Sequence, residues 1–150
     1  MRKLSISLVT LVLLLVTSCS KDKVDVEYFA SKEEKKKDLP FSDAVKVNNL
    51  LFLSGQIGMD HKVRKLVSGG IEEETKQVFK NIKEVLEQHG SSLDQIVKST
   101  VILADINDFA AMNAVYKSYF KKHFPVRTTI AADLVAGAKI EIEVIATTNK

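Results

Sequence analysis

A chain of 150 residues with 45% hydrophobic and 27% charged content is long enough for one globular domain with a genuine core, and this composition argues against global disorder. The formal net charge is +3, but residues 1–19 hold Arg2 and Lys3 and no acid, so the remainder carries 20 basic and 19 acidic side chains, or +1. A domain so close to neutral has little electrostatic reason to seek phosphate backbones, and its lysines are interleaved with acids, as in Glu33-Glu34-Lys35-Lys36-Lys37, like an ordinary solvated face.

Met1-Arg2-Lys3 is a positive start, and Leu4 to Val16 is an apolar run broken only by Ser5, Ser7 and Thr10. At about 13 residues, against the ~20 needed to span a bilayer core, it reads as a signal-peptide segment within residues 1–18. Val16-Thr17-Ser18-Cys19 resembles a bacterial lipobox, with Thr17 and Ser18 where Ala/Ser and Gly/Ala are commoner. In such a motif the cysteine is diacylated and becomes the mature N-terminus. Cys19 is the only cysteine, so an exported chain can form no internal disulfide with it. The resemblance implies lipidation of Cys19, a tether at 19–25 and a domain at 26–150. It also implies export, with anchoring to a bacterial cell-envelope membrane on its periplasmic or surface side. An ordinary cleaved signal peptide, or a signal anchor with Cys19 incidental, is the alternative.

Val24, Val26 and Tyr28 alternate with Asp25 and Glu27, predicting a short strand. Val45 to Val47 and Leu50 to Leu53 flank Asn48-Asn49 and predict a hairpin, because Asn tolerates positive φ. Ser54-Gly55-Gln56-Ile57-Gly58 then breaks or bends the strand, its glycines allowing another group, a ligand among them, close to the backbone. A helix is predicted from about Ile71 to His89, with Val78, Ile82, Val85 and Leu86 as its stripe, Glu72 to Glu74 in its first turn and Gly90 beyond its end. Ile96 to Leu103 is the next strand. A second helix follows from about Asp108 to Lys122, capped by Asp105 or Asn107, with Phe109, Met112, Tyr116, Tyr119 and Phe120 inward. Val126 to Ala132 and Lys139 to Thr147 complete an α+β arrangement, β-ββ-α-β-α-β-β: a mixed sheet of about six strands with both helices on one face.

His61, His89 and His123 are scattered, with no metal-site spacing, and read as surface or capping residues. No nucleophile elbow or phosphate-cradling glycine motif appears, and an acylated Cys19 leaves no free thiol. An enzyme here works without metal, cofactor or covalent intermediate. Arg127 follows Pro125 at the start of a strand, and its fork of donors suits a planar carboxylate; spacing alone favours instead an interface salt bridge or an exposed edge position. Glu141 and Glu143 alternate with Ile140, Ile142 and Val144 and so point away from the core. If oligomerisation covered that face, a carboxylate there would be partly desolvated and suited to general acid/base work. Asn113 falls on the apolar stripe of its helix and needs a hydrogen-bond partner, in a neighbouring loop or in a substrate.

Leu53-Ser54-Gly55-Gln56-Ile57, Asn107-Asp108-Phe109, Asn113-Ala114-Val115-Tyr116, Phe124-Pro125-Val126-Arg127 and Ile140-Glu141-Ile142-Glu143-Val144-Ile145-Ala146 together resemble the RidA (YjgF-type) family of reactive enamine/imine deaminases, in family order, over about Val26 to Thr147. The resemblance implies a chorismate-mutase-like fold and a homotrimer whose sheets form a central barrel with clefts between subunits. It places a substrate-carboxylate grip on Arg127 and a water-positioning carboxylate on Glu141. It also lines the cleft with Ser54, Gly55, Asn113, Thr129 and the residue at position 41. The implied reaction is cofactor-free hydrolysis of a 2-aminoacrylate-like enamine, through its imine, to a 2-keto acid and ammonia.

Two departures stand out. The family's loop often reads Gly-Pro-Tyr-Ser, whereas this chain has Leu39-Pro40-Phe41-Ser42, and the segment from Arg127 to Glu141 is about one residue short. Phe41 keeps the ring and loses the hydroxyl, which predicts a slower enzyme or a different preferred imine. A non-catalytic trimer that binds or senses a small carboxylate in the same clefts is the alternative function. RNA cleavage, known for some family members, fits poorly with a charge of +1.

Overall fold

The computed structural model describes residues 23–32 and 38–149. The expected leader, Cys19, the first part of the tether and the Lys/Glu patch at 33–37 lie outside the described residues. Nine strands and two helices follow in chain order among the described residues. The first six strands are β1 (Val26–Phe29), β2 (Ala44–Val47), β3 (Leu50–Leu53), β4 (Gln56–Ile57), β5 (Met59–Asp60) and β6 (Lys65–Leu66). Helix α1 (Gly70–Gln88), β7 (Ile96–Leu103), α2 (Phe109–Ser118), β8 (Val126–Ala131) and β9 (Ile140–Thr147) complete the fold.

Seven strands form one mixed sheet ordered β1-β2-β3-β9-β7-β8, with β4 pairing β9 beside β3, where about six strands were expected. β5 and β6 make a separate hairpin. Strands of two residues, as β4 to β6 are, carry no readable period, which is why the sequence shows only a bend there. Every pairing is antiparallel except β7 with β8, whose crossover carries α2. Asn48 turns the β2–β3 hairpin at φ 53, and its side-chain oxygen accepts from the Asp25 backbone N–H at 3.0 Å. The first strand accordingly starts at Val26, two residues later than its alternation suggests.

The expected stripe of α1 is the core: Val78, Ile82, Val85 and Leu86 are buried against Val101, Leu103, Ile140, Ile142 and Val144 of the sheet. Gly90, at φ 73, ends the helix as expected, with the Ser91 N–H bonded back to Leu86. His89 caps that end and stacks on Phe29 at 4.1 Å. Helix α2 stops at Ser118, short of the expected Lys122. Tyr119 and Phe120 leave the helical path to stack on, and abut edgewise, the buried Phe79 of α1. Asp105 does cap, but it caps the short turn before α2, accepting from the Asn107 N–H. Both helices cover the face of the sheet that presents Ser99, Val101, Ile142 and Val144. The opposite face presents Phe52, Thr100, Thr128, Ile130, Glu141 and Glu143, with Phe52 and Ile130 exposed.

Candidate functional site

Pro125 ends the link from α2, and the chain enters β8 with Arg127 opposite Ser99 of β7. Because Ser99 faces the helices, Arg127 does too, and it meets α2. Its Nη1 donates to Asn113 Oδ1 at 2.7 Å, and its guanidinium carbon lies 4.6 Å from the Tyr116 ring centre and 5.6 Å from that of Phe109. Asn113 and Tyr116, three residues apart, share one helix face and close on the guanidinium together. Asn113 thus has its required partner, and that partner is Arg127 rather than a loop. No acid pairs with Arg127 among the described residues. A cleft of about 350 Å³ opens beside it, lined by Asn113, Tyr116, Lys117, Phe124, Pro125 and Arg127. Thr129 lies two residues along on the same face, its hydroxyl oxygen buried and without a hydrogen-bond partner among the described residues.

Glu141 is on the other side of the sheet. Its strand alternates as expected, and it pairs with Ile57 of β4 and Ile102 of β7. The carboxyl group is half-buried, and burial raises its pKa above the usual carboxylate value, with the nearby Glu143 charge acting in the same direction. Gly55, at the bend between β3 and β4, provides the space: a Cβ there would lie 1.9 Å from Glu141 Oε1. The glycine's open side is therefore filled by the carboxylate of its own chain. Ser54 donates its hydroxyl to the Ser42 carbonyl at 2.7 Å, tying the loop that carries the exposed Phe41 to this bend.

The expected residues thus fall into two groups. Arg127 and Asn113, with Thr129 alongside, sit on the helix face at one sheet edge. Glu141, Gly55 and Ser54 sit at the β4–β9 bend, with the Phe41 loop beside them. Strand β7 separates the groups, and they use opposite faces, so one chain does not bring Arg127 and Glu141 together.

Two contributors went unread in the sequence. Tyr116 reads as core, yet its face carries Arg127, while its hydroxyl lies 2.7 Å from Ser99 Oγ. Burial raises the Tyr116 pKa, opposed by the Ser99 hydrogen bond and the Arg127 charge. Glu74 reads as a favourable first-turn acid, yet it is buried and accepts the Lys139 backbone N–H at 2.8 Å, holding the entry to β9 two residues before Glu141. The signal was there: Ile71, Glu74, Thr75 and Val78 follow the spacing of an inward stripe.

Residues 32–148 match the family model described as Endoribonuclease L-PSP. A human protein named 2-iminobutanoate/2-iminopropanoate deaminase is 50% identical over 108 residues, covering 71% of this chain and 79% of its own length. Among solved structures, the Rid-family protein YyfA from Yersinia pestis superposes with a TM-score of 0.77 at 39% identity, over 83% of this chain and 100% of that one. RidA from an Antarctic Psychrobacter gives a TM-score of 0.70 at 35% identity, over 80% and 93%.

Proposed function

The chain belongs to the RidA, or endoribonuclease L-PSP, family, and we propose that it hydrolyses reactive imines and their enamine tautomers to 2-keto acids and ammonia. The observation that carries this reading is Arg127. It is a guanidinium held on two sides, without an acid partner among the described residues, at a cleft large enough for a small imino acid. Its remaining donors take the substrate carboxylate as a bidentate pair, which fixes the imine carbon and draws electron density from it. Water adds to that carbon while Glu141 accepts a proton from the water and passes it to nitrogen, giving a carbinolamine; the remaining hydroxyl proton then follows to nitrogen through the same carboxylate, so that ammonia leaves and a carbonyl remains. The raised pKa of Glu141 suits both halves of that exchange.

A second copy of the chain completes the site, because Arg127 and Glu141 leave one chain from opposite faces. The helix-free face, with Phe52 and Ile130 exposed, supports packing into the trimer that the family resemblance implies. The leader directs export and is removed, and acyl chains on Cys19 then anchor the mature protein to a cell-envelope membrane; mass spectrometry of the native N-terminus reads the acyl mass directly.

The test is ammonia release by the soluble protein starting at Lys21, with imino acids generated in situ by an amino-acid oxidase. Arg127→Ala is expected to abolish the acceleration, and unchanged activity would overturn the clamp. Phe41, which lacks a hydroxyl, favours a second reading in which the clefts bind a small carboxylate without turnover. Thermal stabilisation by 2-keto acids with no deamination would support that reading.

A further inference from the structure

We infer that Tyr116, seated by Ser99, is a positioning residue that holds the Arg127 guanidinium flat while leaving its in-plane donors for the ligand. The inference rests on the carboxylate-binding role given to Arg127 above and adds how that role is built. A guanidinium has five N–H donors, all in one plane, and an ordinary salt bridge would consume two of them and cancel the charge. An aromatic face attracts the cation without accepting any in-plane hydrogen. Here the ring centre is 4.6 Å from the guanidinium carbon, and the one conventional bond among the described residues, to Asn113 Oδ1, occupies one nitrogen. Among the described residues no acid compensates the charge, and Arg127 lines the cleft with its other donors unbonded.

The ring itself is locked. Tyr116 is 3% exposed, its ring centre lies 5.5 Å from that of Phe79 in an edgewise pair and 4.9 Å from that of Phe120 in a tilted one, and its hydroxyl is held at 2.7 Å by Ser99, which is 1% exposed. Ser99 is also the direct neighbour of Arg127 across β7 and β8. The strand beside the arginine therefore supplies the anchor for the ring beneath it, and the three residues form a closed triangle spanning β7, α2 and β8. Burial pushes the phenol's pKa upward, opposed by the Ser99 hydrogen bond and the Arg127 charge.

The test is calorimetric titration of the detergent-solubilised full chain with 2-oxobutyrate, alongside kcat and KM for 2-iminobutanoate. Tyr116→Leu keeps an apolar side chain and loses the π-face. Its Kd and KM are expected to rise about tenfold while kcat stays within about twofold. Tyr116→Phe restores the face and is expected to recover most of the lost affinity. A Kd for Tyr116→Leu within about twofold of the parent would overturn the inference, as would equal losses for the Leu and Phe variants. A measurement needing no variant guards against misfolding: in nitrogen-labelled protein, the Arg127 Nε–H and side-chain methylene signals should be shifted upfield by the ring current. Random-coil positions for those signals would overturn the inference. Parent protein that binds 2-oxobutyrate without turnover would refute the deaminase reading and leave the clamp intact. Turnover and binding indifferent to Tyr116 would do the reverse, and a parent that neither binds nor turns over refutes both.

Discussion

Replacing Gly55 with alanine isolates the contribution of Glu141 without touching its side chain. The added Cβ would lie 1.9 Å from Oε1, 2.8 Å from Cδ and 3.1 Å from Cγ of Glu141. An ordinary carbon–oxygen contact lies near 3.3 Å, so the carboxylate must retreat by about 1.5 Å. The atoms that move are the far end of a flexible side chain, and Gly55 does not require positive φ, so the fold should absorb the change. Loss of glycine freedom in the unfolded chain can add a few tenths of a kcal/mol, ~0.4 or more, to stability. A displacement of this size from a reacting position costs on the order of 100-fold in rate. Gly55→Ala is therefore expected to lower kcat about 100-fold with KM changed by less than about threefold, because the Arg127 clamp on the other face is untouched. Steady-state kinetics with 2-iminobutanoate, with melting temperature followed in parallel, provides the readout. The double variant with Glu141→Ala should be no slower than Glu141→Ala alone, since both act through one group. Activity within threefold of the parent, or losses that multiply in the double variant, would refute the reasoning.

Glu143→Gln removes a charge that pushes the Glu141 pKa upward, so the acidic limb of the kcat/KM profile, which lies above the ordinary carboxylate value, should move to lower pH. Stability follows with a defined sign. The folded pKa of Glu141 is raised, so its contribution is complete below the unfolded carboxylate pKa and is lost as pH rises through the folded one; the variant should lose less on that rise, as melting curves across pH will read. Phe79→Ala empties the site where Tyr116, Tyr119 and Phe120 meet α1 and should cost about 3–5 kcal/mol, or roughly 10–15 °C in melting temperature, by calorimetry.

Where the sequence was legible, the reason is periodicity sustained over enough residues. Ile140 to Thr147 alternates through eight positions, so both the strand and the outward placement of Glu141 could be read directly. The inward stripe of α1 spans several turns and was equally plain. The end of α2 was not, because Tyr119 and Phe120 continue the apolar rhythm after the backbone has left the helix, and rhythm reports burial rather than backbone form. The placement of Arg127 against Asn113 depends on a parallel pairing between strands joined by α2, which no local pattern encodes. Tyr116 is hidden for a different reason: a buried aromatic on a helix stripe satisfies the core completely, and its second use appears only when the register of β7 and β8 brings a cation over its face.

The position of β9 in the sheet governs the order of assembly. The last strand of the described fold is an inner one, lying between β3 and β7, and it pairs residues such as Leu51 and Ala146 that are far apart along the chain. Until residues 140–147 are available, the β1–β2–β3 meander and the β7–α2–β8 unit have no strand to join them, and the stripe of α1 lacks Ile140, Ile142 and Val144 to pack against. Contacts of such long range form slowly, and here they wait for nearly the whole polypeptide. On the proposed reading of residues 1–18 as an export leader, that delay would keep the chain threadable through a translocation channel until its final strand had crossed.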